Sequence, residues 1–269
     1  MSGTNKHHEP VNQRDLEVAR VMRGKSRRSF LVLGLTATAG FAGWKWLTTR
    51  PDVDGLPDPL RRALEFNEAL AERYFEGTRL APTFPRAMAR EPRVNGGEGL
   101  PSEFDPLAWR LQVLGAGEPR TLTLEDITRL PRVEMTTELK CIEGWSVIVN
   151  WGGARFSDFA AEYDPATRNG TPRDVRYDRR DRVRYVGLET PDRGYYVGMD
   201  MPSALHPQTL LCYEMNGEPL SIAHGAPLRL VTTVKYGIKS IKRIGQITFT
   251  DARPPDFWAE RGYDWYAGH

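Results

Sequence analysis

The sequence predicts an α+β fold, rich in strands drawn from mixed sheets, with helices inserted between them. Short runs of β-branched and aromatic residues recur through the second half: RVRYVGLE (182–189), YYVGM (195–199), LLCYEM (210–215), LRLVTTV (228–234) and IGQITFT (244–250). Asn216-Gly217, set between LLCYEM and EPLS, is a strong hairpin signal. Helical patterns do not alternate regularly with the strand-like runs, as a doubly wound sheet would require, and no internal repeat is present.

Taken in order, the chain opens on a polar segment, 1–25, which lacks a packing period and reads as a flexible tail holding the adjacent His7 and His8. Arg27-Arg28 then precede Phe30-Leu31, and the uncharged run that follows ends at Lys45. A charged segment before a moderately apolar one is an export signal, and the paired arginines mark the twin-arginine type. Ala37-Thr38-Ala39 has small-residue cleavage character. Phe30 to Leu47 also approaches the roughly 17–25 residues of a spanning helix, so cleaved and anchored forms both stay open.

PDVDGLPDPL (51–60) reads as a linker, and Asp58-Pro59 as the N-cap and first-turn proline of a helix. Leu60, Leu64, Asn67, Leu70, Ala71 and Tyr74 follow at helical spacing, which predicts an amphipathic helix over 59–75. Residues 77–107 are irregular and rich in Pro, Gly and Arg; a loop of that length is often functional and could wrap over a bound ligand. WRLQVLG alternates as a strand does, and Thr123 with Asp126 forms a capping pair for a short helix over 124–130. ELKCIEGWSVIVNWGG (138–153) reads as a strand with a loop at Trp151-Gly152-Gly153, followed by the helix FSDFAAEY. The expected divisions are 1–49 (tail and signal or anchor), 50–79 (linker and helix) and 80–269 (the main domain).

With 269 residues, 40% hydrophobic and 27% charged, the composition is globular, and a net charge of +2 gives no support to nucleic-acid binding. The Gly-rich phosphate loops, His-Glu-x-x-His, the Gly-x-Ser-x-Gly elbow and Cys-x-x-Cys are all absent. Three of the seven lysines, Lys235, Lys239 and Lys242, fall within KYGIKSIKRI (235–244), beside Gly237 and just after HGAPLRL (224–230). Together these stretches form either a phosphate cradle or a solvated cationic edge. Cys141, one of two cysteines, is open to three readings on its residues alone: an inert core thiol, a disulfide with Cys212, or a thiolate ligand.

LKCIEGWSVIVNWGG, GLET, HPQTLLCYEMNGEPL, HGAPLRL and KYGIKSIKRI, in this order, resemble the molybdopterin-binding domain of the sulfite oxidase superfamily over about residues 80–255. The Cys stretch is most similar to the catalytic subunits of periplasmic methionine sulfoxide reductase systems. The resemblance implies a sulfite-oxidase-type fold and an exported mononuclear molybdenum oxidoreductase. Its reaction would be oxygen-atom transfer on a small sulfur compound, in the manner of a sulfoxide reductase. It makes Cys141 the catalytic thiolate that ligates molybdenum and returns Cys212 to the core. Thr190, His224 and Arg229 become pterin anchors, and Ser240, Ile241 and Lys242 hold the pterin phosphate through backbone N–H groups and the lysine charge.

Two features differ from the reductase pattern. Thr83-Phe84-Pro85-Arg86 stands roughly where reductases carry a Tyr-Asn-Asn-Phe-like stretch, so ligands from the first loop stay unassigned. His224 stands where they carry Asn and sulfite-oxidising relatives carry His. A sulfite dehydrogenase-like enzyme, or a metal-free binding module that kept the fold, are the alternatives. The resemblance also implies a periplasmic location and a haem-bearing membrane subunit or cytochrome as electron partner. A monomer is expected, because the chain reaches His269 soon after its last core strand.

Overall fold

The computed structural model of the protein describes residues 13–100, 104–115, 118–163 and 181–269. The chain divides into two compact units, residues 1–52 with Pro57–Pro59, and Val53–Leu56 with Leu60–His269. The first carries helix α1 (Gln13–Thr48). The flexible tail expected over 1–25 is corrected here, because residues 13–25 are already helical; Leu, Ala, Glu, Met and Arg are strong helix formers and outweigh the missing apolar period. His7 and His8 lie outside the described residues. Arg28–Thr48 is long and apolar enough, by length and composition, to cross a membrane, and Phe30, Leu33, Leu35, Phe41 and Trp44 along it are exposed.

The two-residue strands β1 (Asp52–Val53) and β2 (Leu56–Pro57) flank a turn at Gly55 and lead into α2 (Asp58–Tyr74). The predicted helix forms, but it is rotated. Its buried positions are Arg61 and Glu68, with Leu64 and Ala71 half-buried between them, while Leu60, Leu70 and Tyr74 are exposed. The cause is polar pairing: Arg61 donates to backbone carbonyls and Glu68 accepts from Arg253 Nη2 at 2.7 Å. Side chains so satisfied can be buried at little cost.

Next come β3 (Leu111–Leu114), β4 (Arg120–Leu122) and α3 (Leu124–Thr128), the last opened by a full capping box between Thr123 and Asp126. β5 (Arg132–Lys140) and β6 (Ser146–Arg155) form a hairpin, followed by α4 (Phe156–Tyr163). β7 (Tyr185–Glu189), β8 (Tyr196–Asp200), α5 (Met201–Ala204), β9 (Thr209–Met215), β10 (Glu218–Pro219), β11 (Arg229–Thr232) and β12 (Gln246–Thr250) complete the elements. One sheet has the order β10-β9-β6-β5, with β11 pairing β9, and the other runs β4-β3-β12-β7-β8. Every pairing in them is antiparallel except β3 with β12. Asn216 and Gly217, both at positive φ, make the β9–β10 turn as expected.

The loop expected at Trp151-Gly152-Gly153 is absent, and β6 runs through it to Arg155. Gly153 sits at a register shift against β9, where a Cβ would strike the Leu211 carbonyl and come within 2.7 Å of Cys212 Cα. The glycine therefore marks a close strand approach and not a chain reversal. The larger core cluster includes Leu111, Ile127, Phe156, Leu188, Leu230, Ile241 and Ile247, and a second cluster includes Met135, Trp151, Cys212 and Val231.

Candidate active site

Cys141 immediately follows β5, in the turn that leads to β6. Its N–H donates to Trp145 O at 2.9 Å and its carbonyl accepts from Gly144 N at 3.1 Å, so the hairpin turn fixes its backbone. Cys141 and Cys212 are both free thiols. Cys212 is fully enclosed on β9, where burial pushes its thiol up to about 12. Cys141 instead opens onto a cavity of about 280 Å³, and Asn95 Nδ2 lies 3.7 Å from its Sγ.

His224, Arg229, Ser240 and Lys242 line the same cavity. Two glycines bring them there. Gly225 has φ +96°, and a Cβ on it would fall 2.6 Å from Lys242 Cβ, so the HGAP turn lies directly on Lys242. A Cβ on Gly237 would be 3.3 Å from Lys140 O, which sets the KYGIKS turn beside the Cys141 strand end. Arg229, on β11, ties the two turns together by donating to His224 O at 3.1 Å and Ser240 O at 3.2 Å.

The donor set on this wall is incomplete. Among the described residues, Ser240 Oγ and Arg229 Nε are buried without a hydrogen-bond partner, and His224 Nε2 has Glu91 Oε1 at 3.5 Å. Buried polar groups are ordinarily paired. Burial, then the charge of Arg229, pushes Lys242 down to about 8, and burial, then Arg229 and Lys242, lowers His224. Burial likewise brings Arg229 down to about 10. Crowded cations and unpaired donors around one cavity are what an anionic ligand relieves, and a pterin phosphate fits them.

Two other expected site residues are engaged elsewhere. Thr190 does not line the cavity; its Oγ1 donates to Asp192 Oδ1 at 2.6 Å and accepts from Tyr195 N at 3.1 Å. Ile241 is buried in the core, and its N–H donates to Lys239 O at 2.9 Å, while Ser240 N–H donates to Gly237 O at 3.0 Å. The turn thus uses the Ser240 and Ile241 amides, two of the three expected to bind phosphate, and Ser240 Oγ and Lys242 Nζ are the side-chain donors toward the cavity. Of the three lysines, only Lys242 faces the cavity. Lys235 pairs with Asp200 at 2.8 Å and Lys239 with Asp256 at 2.5 Å, all four buried.

The irregular loop expected over 77–107 to cover a ligand does line the cavity, through residues that the sequence left unassigned. Thr83 and Phe84 bond β5 and do not line the cavity, whereas Pro92, Arg93, Asn95, Gly96 and Glu98 do. Asn95 spans the site: its carbonyl accepts from Lys242 Nζ at 2.8 Å, and its amide approaches Cys141. The Asn95-Gly96-Gly97 run inside a long irregular loop was the available signal. Glu143, Trp145, Tyr195, Trp258 and Tyr263 also line it, with Trp145 Nε1 donating to Glu143 Oε2 at 2.9 Å.

Among the described residues, no group of three or more His, Cys, Asp or Glu could hold a metal ion. One thiol facing a polar, cationic wall suits a domain that binds an anionic ligand. The chain belongs to the oxidoreductase molybdopterin binding domain family, which it matches over residues 98–258. It is 30% identical over 262 residues to a protein of Azospira oryzae provisionally named protein-methionine-sulfoxide reductase subunit YedZ1, across 94% of this chain and 91% of that one. The protein-methionine-sulfoxide reductase catalytic subunit MsrP of Campylobacter jejuni is 30% identical over 254 residues, across 90% and 80% of the two chains. The sulfane dehydrogenase SoxCD of Paracoccus pantotrophus aligns with a TM-score of 0.48 and 21% identity over 65% of this chain and 45% of its own, too partial a likeness to carry an argument. The α+β fold and the family expected from the sequence both hold, and the protein is a molybdopterin-binding oxidoreductase.

Proposed function

We propose that this chain is an exported mononuclear molybdenum enzyme that reduces a sulfoxide, with molybdenum–molybdopterin as its cofactor. The observation that carries the reading is the single cavity joining Cys141 to His224, Arg229, Ser240 and Lys242. The two relatives matched along most of their length, both named as methionine sulfoxide reductase subunits, support the substrate class. When bound, the cofactor supplies two-electron oxygen-atom transfer at molybdenum. The Cys141 thiolate would be its protein ligand, a soft donor suited to a redox metal. Arg229 Nε, Ser240 Oγ, His224 Nε2 and Lys242 Nζ would hold the pterin and its phosphate. Thr190 and Ile241 would act one step back, by shaping the turns.

Reduction of a sulfoxide to a thioether and water consumes two electrons and two protons. Glu143, in the Cys141 turn, and Glu98 are the carboxylates of the cavity lining that could pass those protons. Trp258 and Tyr263 offer an apolar wall for the alkyl groups of the substrate. Two cysteines and no haem-attachment motif leave electron delivery to a haem-bearing membrane subunit or a cytochrome. Arg27-Arg28 before a membrane-length helix supports twin-arginine export with residues 1–49 as signal or anchor, 50–79 as linker and helix, and 80–269 as the catalytic domain.

The test uses protein from a host that makes molybdopterin. Stoichiometric molybdenum is expected, with methionine sulfoxide reduced by a reduced dye, and no comparable oxidation of sulfite by an electron acceptor. Cys141→Ser should keep the fold and abolish turnover. A metal-free product, sulfite as the better substrate, or unchanged activity in Cys141→Ser overturns the reading.

A further inference from the structure

Arg61, on α2, lies outside the family match of residues 98–258, and it is 6% exposed. Its guanidinium serves four backbone carbonyls. Nη2 donates to Asp54 O at 2.6 Å and Ala259 O at 2.7 Å, Nη1 to Tyr263 O at 3.0 Å, and Nε to Val53 O at 3.3 Å. Two acceptors therefore belong to the segment preceding α2, and two to the segment 258–263, which supplies Trp258 and Tyr263 to the cavity lining.

That segment is a single tight turn with its two rings in contact, 5.2 Å between centroids. Its beginning is anchored to the core, because Asp256 Oδ1 accepts from Trp258 N at 3.2 Å and from Ala259 N at 3.0 Å. Asp256 Oδ2 in turn accepts from Lys239 Nζ at 2.5 Å. Arg61 takes one carbonyl near the segment's start, Ala259 O, and one at its far end, Tyr263 O. Gly55, at φ +76°, lets the preceding segment lie against the turn, since a Cβ there would be 3.1 Å from Arg261 C and Gly262 N. A planar five-donor guanidinium is the one side chain able to serve four carbonyls from two segments at once.

We infer that Arg61 is a positioning residue for substrate binding: the segment before the catalytic domain completes the domain's own cavity by fixing the Trp258–Tyr263 wall. The inference uses the sulfoxide-reductase reading only for its assay. It adds that the placement of this wall depends on Arg61, which, like Tyr263, lies outside the family match.

The experiment compares the full-length holoprotein with Arg61→Lys, which keeps the charge but cannot reach all four acceptors, and with Tyr263→Ala and the double variant. Hydrogen exchange of the 258–263 amides should quicken in Arg61→Lys while the 141–145 turn is unchanged, a readout that does not need turnover. With methionine sulfoxide, KM should rise about fivefold, the scale of one lost hydrogen bond, with kcat within about twofold. Dimethyl sulfoxide, too small to span to the wall, should show a smaller change. In the double variant, Arg61→Lys should add nothing to the KM of Tyr263→Ala. Unchanged exchange in 258–263, additive KM effects, or a fall in kcat and molybdenum content at constant KM overturns the inference. If the unsubstituted protein turns over neither sulfoxide, the functional reading fails, and the exchange result alone decides the role of Arg61.

Discussion

Lys239 Nζ lies 2.5 Å from Asp256 Oδ2 with both side chains almost fully buried, and the same ammonium donates to Gly198 O at 2.8 Å. Asp256 also accepts from Gly198 N at 3.1 Å and caps the turn that bears Trp258. Removing one member of a buried pair strands the other charge, which costs about 3–5 kcal/mol. Lys239→Met should therefore lower the unfolding free energy by that order, measured by denaturant titration, and should loosen the Trp258 wall. A loss below about 1 kcal/mol would show that water already reaches the pair.

This pair also marks where sequence reading stopped. KYGIKSIKRI presents three cations near a glycine, and spacing alone does not say which of them face a ligand. The answer depends on Asp200 and Asp256, which are distant in sequence from the lysines they neutralise and carry no local signal. Strand positions and the Asn216-Gly217 turn were legible because period-2 patterning and turn chemistry are local. Gly153 was misread because a glycine that admits a neighbouring strand looks the same in sequence as one that turns the chain. The buried face of α2 differs from the expected one because Arg61 and Glu68 are buried by partners that include Ala259, Tyr263 and Arg253, more than 180 residues away. The Cys141, His224 and Arg229 cluster was legible only through its ordered resemblance to a family, not from periodicity.

Gly225 holds His224 and Lys242 together. Alanine there would need φ near +96°, which costs roughly 1 kcal/mol, and its Cβ would fall within 3 Å of Lys242 and the Arg243 amide. The combined penalty of strain and overpacking is about 2–4 kcal/mol. Gly225→Ala is expected to lower thermal stability and to be purified with reduced molybdenum content, read by calorimetry and metal analysis. Full cofactor retention at unchanged stability would place the contact outside the cofactor wall.

Lys242 gives the site a pH dependence whose sign is fixed. Burial, then Arg229, sets its folded value at about 8, against an ordinary 10.5. Between those two values the unfolded chain binds more protons than the folded one, so the stability of cofactor-free protein rises with pH across that window. Below about pH 8 the ammonium is charged in both states and its burial is a constant cost. Anion binding runs the other way, because the charge that attracts phosphate is present below about pH 8 and lost above it. Thermal stabilisation of the cofactor-free protein by inorganic phosphate should be clear at pH 7.5 and largely gone by about pH 9.5, although phosphate itself becomes more fully dianionic over that range. Lys242→Gln should remove the phosphate effect and reduce the rise in stability above pH 8, of which Lys235, also held at about 8 by burial, keeps a share. A phosphate effect in Lys242→Gln equal to that of the unsubstituted protein at pH 7.5 would assign the anion to Arg229 and His224 instead.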